Sequence, residues 1–120
     1  MYTVSVTEPF NATHRVRLPN GDLEPLHGHD WQITATFQGK DLDANGMVID
    51  FIVVQQALRD ILGRWNHANL NDHADFADIP TTAENVARRV FELLAARGSD
   101  TLVRVCVVEA PGCVASYENT

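Results

Sequence analysis

The sequence predicts an α+β fold, with a four-stranded antiparallel sheet and two helices packed on one of its faces. Two segments near the N-terminus alternate apolar and polar residues, two central segments repeat apolar residues at helical spacing, and a β-branched run lies near the C-terminus. The predicted element order is therefore ββααββ. Strand pairs joined by hairpin-type connections favour antiparallel pairing, and both helices then cover one face of the sheet.

The first two strands are predicted from an alternation with a period of two. Tyr2, Val4 and Val6 alternate with threonine and serine, which is typical of a strand with one buried face. The second strand covers residues 31–37, WQITATF, whose odd-numbered positions are apolar or aromatic. The segment 19–22, PNGD, is a turn signal between the two strands.

The first helix is predicted where the apolar period changes to helical spacing. A single stripe repeats at intervals of three and four residues, which indicates a helix with one buried side. The stripe comprises Val54, Ala57, Leu58, Ile61 and Leu62. Asp50 stands where an N-cap is expected, and Gly63 is placed to end the helix. Residues 64–80, which follow, are polar and irregular.

The second helix is predicted to begin in the segment TTAE. Thr81 and Glu84 stand three residues apart, as in a capping box, and Gly98 is placed to end the helix. The two final strands are predicted over residues 102–108, which are rich in β-branched side chains, and over residues 113–117. No internal repeat, low-complexity segment or linker divides the sequence, so all 120 residues are predicted to form one domain, 1–120.

Composition narrows the functional class. The formal net charge of −7 argues against a nucleic-acid-binding protein, which normally carries a basic face. No apolar run is long enough to span a membrane and the N-terminus lacks a signal-peptide pattern, so a cytoplasmic location is expected. Cys106 and Cys113 could pair across a hairpin, but free buried thiols are the better expectation in a reducing compartment.

Three histidines suggest a metal site. His27 and His29 flank Gly28, and alternate residues of an extended segment point the same way. His14 lies near the end of the first strand, so a hairpin between the first two strands would bring its ring towards the other two. Three neutral imidazoles with one open position are typical of catalytic zinc, and the absence of an obvious thiolate or carboxylate ligand disfavours iron and copper. Spacing alone leaves open that these are ordinary surface histidines.

Six short segments resemble, in the same order, the 6-pyruvoyltetrahydropterin synthase and 6-carboxytetrahydropterin synthase family. They are FNATHRV (10–16), LHGHDW (26–31), GMVIDF (46–51), NHANLND (66–72), PTTAENVA (80–87) and VE (108–109). The resemblance implies the tunnelling fold (T-fold) of this family, in which three subunits join their sheets into a barrel and two trimers commonly stack. A homotrimer or homohexamer is therefore expected, because closing a barrel removes exposed sheet edges.

The resemblance also implies a set of site residues. The zinc ligands of the family correspond to His14, His27 and His29, and the implied substrate is a small pterin, 7,8-dihydroneopterin triphosphate. Glu109 corresponds to the carboxylate that anchors the pterin by accepting two N–H bonds. Without that role, Glu109 is simply the first solvated residue after an apolar strand. Thr82 corresponds to a threonine that contacts the pterin, although a place at the start of a helix explains it about equally well.

The match to the family fails at its catalytic residues. The usual proton-abstracting cysteine before the HGH segment is absent, and Leu23 stands at the nearest expected position. Glu24 resembles the glutamate that replaces this cysteine in one branch of the family, where a carboxylate acts as the base. The competing interpretation is an acid that flanks the turn at Pro25. The usual Asp–His pair reads Asn66-His67, so His67 is expected to keep its acid–base role while asparagine orients the ring without adding charge.

Three functions follow from these observations. The favoured one is a zinc-dependent lyase that cleaves the substrate side chain to 6-hydroxymethyl-7,8-dihydropterin for folate biosynthesis, since Glu24 indicates that branch. The second is a 6-carboxytetrahydropterin synthase of queuosine biosynthesis, since many relatives make that product. The third is a zinc- and pterin-binding protein with little turnover, which the departures at Leu23 and Asn66 motivate.

Overall fold

The computed structural model describes residues 1–119 of the chain. In chain order its elements are β1 (Tyr2–His14), β2 (His27–Gly39), α1 (Phe51–Gly63), β3 (Ala68–Asn69), α2 (Ala83–Ala95), β4 (Leu102–Ala110) and β5 (Cys113–Glu118). Two three-residue 3-10 helices lie between β3 and α2. None of the helices in residues 1–119 combines the length and the apolar character that a membrane crossing requires.

Five strands form one sheet in the order β3-β1-β2-β4-β5. β1 and β2 pair antiparallel along their whole length, from Tyr2 opposite Gly39 to His14 opposite His27. β4 pairs with β2, and β5 pairs with β4, also antiparallel. These four strands and the two helices confirm the predicted order of the main elements.

β3 is a fifth strand that the sequence did not predict. It is two residues long and pairs parallel with the outer edge of β1, with Ala12 opposite Ala68 and Thr13 opposite Asn69. The prediction of an irregular segment over residues 64–80 misses it, because two residues are too few to display an alternation of apolar and polar side chains. The extended backbone of β3 therefore follows from its contact with β1 rather than from its own sequence.

The first helix has the predicted boundaries. The carboxylate of Asp50 accepts a hydrogen bond from the backbone N–H of Ile52 at 2.9 Å, which satisfies one of the free donors at the helix start. The helix ends at Gly63, but without the left-handed glycine that the sequence suggested. Arg64, which follows, keeps a right-handed conformation with φ of −66°.

The second helix begins one residue later than predicted. The N-cap is Thr82, whose hydroxyl oxygen accepts from the backbone N–H of Asn85 at 3.2 Å, so the predicted capping box of Thr81 with Glu84 is wrong. Thr81 is only 1% exposed, and its hydroxyl is directed away from the helix, towards the segment after β1. Gly98 has φ of +95°, which agrees with its predicted place after the helix end.

The alternation along the strands divides the sheet into a covered and an uncovered face. On the face covered by the helices, Phe10 and Trp31 are buried and stack with ring centroids 5.6 Å apart. On the uncovered face, hydroxyl side chains pair across β1 and β2, for example Thr7 with Thr34 at 2.7 Å. His14, His27 and His29 belong to the covered face, where the β1–β2 hairpin extends towards its connecting loop, residues 15–26.

The two cysteines are free thiols, as expected, but they are not buried. Cys106 pairs in register with Ser116, and Cys113 lies opposite Ala110, so the strands do not bring the two sulfur atoms together. Cys113 is exposed on β5 and Cys106 is half-buried. Cys106 alternates with the buried Val105 and therefore lies on the uncovered face of the sheet, which explains its partial exposure.

Candidate metal and substrate site

The three predicted metal ligands lie together. His14 ends β1 directly opposite His27 at the start of β2, and His29 lies two residues further on the same face. The centroids of the imidazole rings are 4.8 Å apart for His14 and His27, 5.1 Å for His14 and His29, and 4.7 Å for His27 and His29. One ring nitrogen of each residue lies within 4.8 Å of the others. We call these three residues the histidine cluster.

Backbone carbonyls orient two of the three rings. The Nδ1 atom of His14 lies 2.7 Å from the carbonyl oxygen of Thr81, and Nδ1 of His27 lies 2.8 Å from that of Pro25. A carbonyl oxygen can only accept, so in each pair Nδ1 carries the proton and donates it. The Nε2 atoms of both rings are therefore left with a free lone pair, which is the form in which imidazole binds a metal.

Two nitrogen atoms of the histidine cluster are buried without a hydrogen-bond partner. Within residues 1–119, Nε2 of His14 and Nε2 of His29 have neither a donor nor an acceptor partner. An unsatisfied buried polar atom costs about 1–3 kcal/mol. Two such atoms directed into one small volume fit a cation that accepts their lone pairs, and three neutral imidazoles are a donor set that divalent transition metals accept.

The environment keeps His14 neutral. Burial lowers the pKa of His14 below its ordinary value of 6.5, since a charged ring would lose its hydration. The hydrogen bond to Thr81 and the negative charge of Glu109 oppose this effect, and the neighbouring rings of the cluster reinforce it. A lowered pKa leaves the ring uncharged near neutral pH, as metal binding requires.

Glu109 lies beside the histidine cluster, at the end of β4. Its Oε1 atom is 3.2 Å from Nε2 of His14 and 4.0 Å from Nε2 of His29, and the side chain is 26% exposed. The nearer contact is within hydrogen-bonding distance, yet Nε2 of His14 has no hydrogen bond there. With the proton on Nδ1, both facing atoms are acceptors, and a cation or a proton between them would relieve the repulsion. Glu109 is therefore part of the cluster's immediate surroundings rather than a solvated strand end.

Glu24 lies at the rim of the cluster. Its Oε1 atom is 3.6 Å from Nε2 of His27 and accepts a hydrogen bond from the backbone N–H of Val16 at 3.0 Å. The N–H of Glu24 in turn donates to the carbonyl of Val16 at 3.0 Å. The loop between β1 and β2 therefore folds back on itself, and this pairing directs the carboxylate towards His27. The side chain is 23% exposed, so solvent and small molecules reach it.

His67 does not lie in the histidine cluster. It is exposed, has φ of +61°, and donates its backbone N–H to the carbonyl of Asn11 at 2.6 Å. The predicted orientation of its ring by Asn66 is wrong: the side-chain oxygen of Asn66 accepts instead from the backbone N–H of Asn11 at 2.9 Å. Both residues attach the segment before β3 to a position of β1 whose side chain lies on the uncovered face.

Thr82 and two unpredicted residues lie near His14. The hydroxyl of Thr82 caps α2, which agrees with its helix-start interpretation, while a contact with substrate stays a prediction. Neither Thr81 nor Asn71 was predicted as a site residue, yet both hold the end of β1 around His14. Thr81 acts through its backbone carbonyl, which leaves no signature in residue type. Asn71 was visible only as one of several asparagines in the segment NHANLND.

Fold and site together define an α+β protein with a three-histidine cluster that is compatible with a metal site. The family model described as "6-pyruvoyl tetrahydropterin synthase" matches residues 3–120. The chain belongs to this family of pterin synthases.

Known relatives agree with this assignment. The chain is 31% identical over 119 residues to the 6-carboxy-5,6,7,8-tetrahydropterin synthase of Bacillus subtilis (strain 168), covering 90% of this chain and 79% of the relative. The structure of this chain matches that of Caenorhabditis elegans 6-pyruvoyl tetrahydropterin synthase with a TM-score of 0.85 at 24% identity. The match covers 99% of this chain and 96% of the Caenorhabditis elegans chain. These likenesses confirm the predicted T-fold.

A second similar structure is a variant of the Plasmodium vivax 6-pyruvoyltetrahydropterin synthase. It matches with a TM-score of 0.74 at 15% identity, and each chain is covered to 99%. Its description states that a glutamate, called a catalytic residue, is replaced by alanine, and a companion structure carries cysteine at that position. At this identity the likeness concerns the fold alone.

Proposed function

We propose that this chain is a zinc-dependent lyase that cleaves the side chain of 7,8-dihydroneopterin triphosphate, giving 6-hydroxymethyl-7,8-dihydropterin. The observation that carries the proposal is the convergence of three imidazoles with two carboxylates, Glu24 and Glu109, at their margin. Membership of the family supports a pterin substrate. We also propose that residues 1–120 form one domain, which the match over residues 3–120 supports.

His14, His27 and His29 would hold the zinc ion. The neutral ring of His14 and the unpartnered Nε2 atoms of His14 and His29 support this assignment. When bound, zinc supplies Lewis acidity towards the side-chain oxygens of the substrate.

Glu24 would act as the base. Its carboxylate lies beside His27, is held by the N–H of Val16, and stays accessible from solvent. An aldol-type cleavage begins when a base removes the proton of the hydroxyl on the second side-chain carbon. The bond between the first and second side-chain carbons then breaks, and the second carbon leaves as an aldehyde with the triphosphate end of the side chain. The first carbon, which stays on the pterin, takes the electron pair and is protonated. The Plasmodium vivax protein of the same fold also has a glutamate called a catalytic residue, which is consistent with a carboxylate base in this fold.

Glu109 and Thr82 would bind the pterin ring. A carboxylate can accept two parallel N–H bonds from an aminopyrimidine edge, which fixes the orientation of the ring. Glu109 now points at His14 and His29, so this role requires its side chain to rotate, and its partial exposure leaves room for rotation. Thr82 lies next to Thr81, whose carbonyl bonds His14, and its hydroxyl proton is free to be donated.

We further propose a homotrimer or homohexamer. The outer edge of β1 before Asn11 and the outer edge of β5 have no neighbouring strand within the described residues, and such edges are normally covered. His67 is exposed, is attached to β1 at Asn11 and is not part of the histidine cluster of its own chain. Its proposed acid–base role therefore requires a site to which a second subunit contributes.

Two other functions keep a specific observation in their favour. The Bacillus subtilis relative is a 6-carboxytetrahydropterin synthase, which supports that activity and a place in queuosine biosynthesis as the alternative. The replacement of the usual Asp–His pair by Asn66-His67, and the attachment of Asn66 to β1, support a zinc- and pterin-binding protein with little turnover.

Product identification separates these functions. The zinc-loaded protein is incubated with 7,8-dihydroneopterin triphosphate, and the pterins are separated by chromatography. We expect 6-hydroxymethyl-7,8-dihydropterin and a rate reduced about 100-fold or more in Glu24→Gln, the usual scale for loss of a general base. Asp22 is an acid of the same loop whose carboxylate, within residues 1–119, accepts only from the side chain of Asn20, so Asp22→Asn should keep the wild-type rate. A 6-carboxy product would favour the alternative synthase, and no product above a His27→Ala control would favour the binding protein.

A further inference from the structure

We propose that Asn71 is a positioning residue for the metal ligand His14, acting through the backbone of Arg15 and through Thr81. The inference rests on the proposed metal site. It concerns how the chain holds one ligand at the end of a strand, where the regular pairing of the sheet stops.

Asn71 pairs with the backbone of Arg15 as a neighbouring strand would. The backbone N–H of Arg15 donates to Oδ1 of Asn71 at 2.9 Å, and Nδ2 of Asn71 donates to the carbonyl of Arg15 at 2.9 Å. A primary amide presents one acceptor and two donors, so it can satisfy both backbone groups of one residue. The parallel pairing of β3 with β1 ends where Asn69 lies opposite Thr13. The side chain of Asn71 then bonds the backbone of Arg15, the first residue after β1.

Thr81 connects this pairing to the ring of His14. Its hydroxyl lies 3.3 Å from both the carbonyl of Arg15 and Oδ1 of Asn71. Its carbonyl accepts from Nδ1 of His14 at 2.7 Å. Hydrogen bonds therefore link His14 to Thr81, Thr81 to Asn71 and Asn71 to Arg15, and the peptide bond between Arg15 and His14 closes the circuit.

Burial protects the inner part of this circuit, the contact between His14 and Thr81, whereas Asn71 and Arg15 are exposed. His14 and Thr81 are each only 1% exposed. A buried carbonyl–imidazole contact keeps its geometry only if the backbone on both sides is fixed. His14 is the last residue of β1, so its own backbone is fixed on one side by β2 and β3 and on the other side by Asn71. Direct hydrogen-bond partners of a metal ligand typically contribute 10- to 100-fold to metal affinity. Here the direct partner of His14 is the carbonyl of Thr81, and Asn71 holds that partner in place.

The test measures zinc affinity by competition with a chromophoric chelator, together with the absorption spectrum of the Co²⁺-substituted protein. We expect Asn71→Ala to bind zinc about 10-fold more weakly or worse, and to change the Co²⁺ spectrum, because the orientation of one ligand is lost. Asn71→Asp keeps the acceptor for Arg15 N–H but places an oxygen against the carbonyl of Arg15. It should fold and show a smaller loss in the same direction.

Asn66→Ala is the matched control. Asn66 makes the same kind of contact, since its side-chain oxygen accepts from a backbone N–H of β1 at 2.9 Å, but at Asn11. It should keep wild-type zinc affinity within about twofold. An equal loss in Asn66→Ala, or unchanged affinity and spectrum in both Asn71 variants, would overturn the inference. If the wild-type protein binds no zinc, the proposed metal site itself is wrong, and this outcome is distinct from the previous two.

Discussion

At the scale of single residues, His14 is the side chain that the fold constrains most strongly. It is buried, its Nδ1 atom is committed to the carbonyl of Thr81, and its Nε2 atom faces Glu109 at 3.2 Å. A protonated ring there would have a negative partner but almost no water. Burial is the larger effect, so the pKa of His14 is lowered and the neutral ring prevails.

We therefore expect the metal-free protein to lose stability on acidification. Because the pKa of His14 is lower in the folded state than in the unfolded chain, the unfolded chain binds more protons once the pH falls below about 6.5. The destabilisation due to His14 is absent above that pH, and it grows as the pH falls towards the pKa of His14 in the folded state. Urea unfolding of metal-free protein between pH 7.5 and 5.5 measures the effect, and His14→Gln should show a shallower dependence on pH. An identical dependence in both proteins would contradict this account.

The histidine cluster could be predicted at this scale, whereas its supports could not. Two rings separated by one residue on a strand must share a face, and a hairpin brings His14 opposite His27. The spacing therefore suggested the cluster but left open ordinary surface histidines. The carbonyl of Thr81 comes from a segment more than sixty residues away, and every residue has a carbonyl. The role of Asn66 was mispredicted because its partner is a backbone N–H of β1, which only the assembled sheet reveals.

At the scale of elements, the β1–β2 hairpin carries the three histidines, and the segment that leads into α2 supplies the carbonyl that orients His14. The hairpin keeps one register over thirteen residue pairs, and that register sets His14 against His27. A slip by one residue would move all three rings to the other face or out of line. The start of α2 supplies Thr81, so the exact position of its N-cap decides whether the carbonyl reaches His14.

We expect Thr82→Ala to lower the free energy of unfolding by about 1 kcal/mol, the usual cost of losing an N-cap hydroxyl. Thr82→Ser should recover most of the loss, because it keeps the oxygen that accepts from Asn85. Glu84→Ala should change stability by less than about 0.5 kcal/mol, because the structure has no capping box for it to complete. Chemical denaturation of the three variants measures these differences, and a large effect at Glu84 would restore the capping box.

Long periodic elements were predictable, and short ones were not. Both helices and the first two strands carry a repeating apolar pattern, and β4 is marked by its β-branched residues, so these elements are identifiable without tertiary information. The segment between the helices is fixed by contacts instead: Asp75 accepts from the indole N–H of Trp65 at 2.9 Å, and its carbonyl accepts from Arg89 at 2.8 Å. Such contacts are invisible in a local pattern, which is why β3 and the 3-10 helices were missed.

At the scale of the whole molecule, the chain is elongated and its sheet has open edges. Its principal extents are 53 × 26 × 25 Å, and its two longest strands, β1 and β2, pair over thirteen residue pairs. β5 carries Val114 with 60% of its surface exposed. Exposed strand edges with apolar side chains favour association with another chain.

The proposed oligomer leads to a mass prediction. Light scattering should give three or six times the chain mass of 13.3 kDa. Val114→Lys places a charge on the edge strand and should shift the population towards the monomer, since charged side chains discourage edge pairing. Ile79→Lys, an exposed apolar residue away from both sheet edges, should keep the wild-type mass. A wild-type mass of 13.3 kDa would contradict the proposed assembly.

The direct opposition of His14 and His27 makes the loop of residues 15–26 a closed ring whenever one ion binds both imidazoles. Such an ion would act as a reversible cross-link between the end of β1 and the start of β2. Ligand binding to the native state alone adds RT ln(1 + [L]/Kd) to stability. The resistance of this loop to proteases, and the melting temperature of the entire chain, would then both follow the free metal concentration and fall together when a chelator is added.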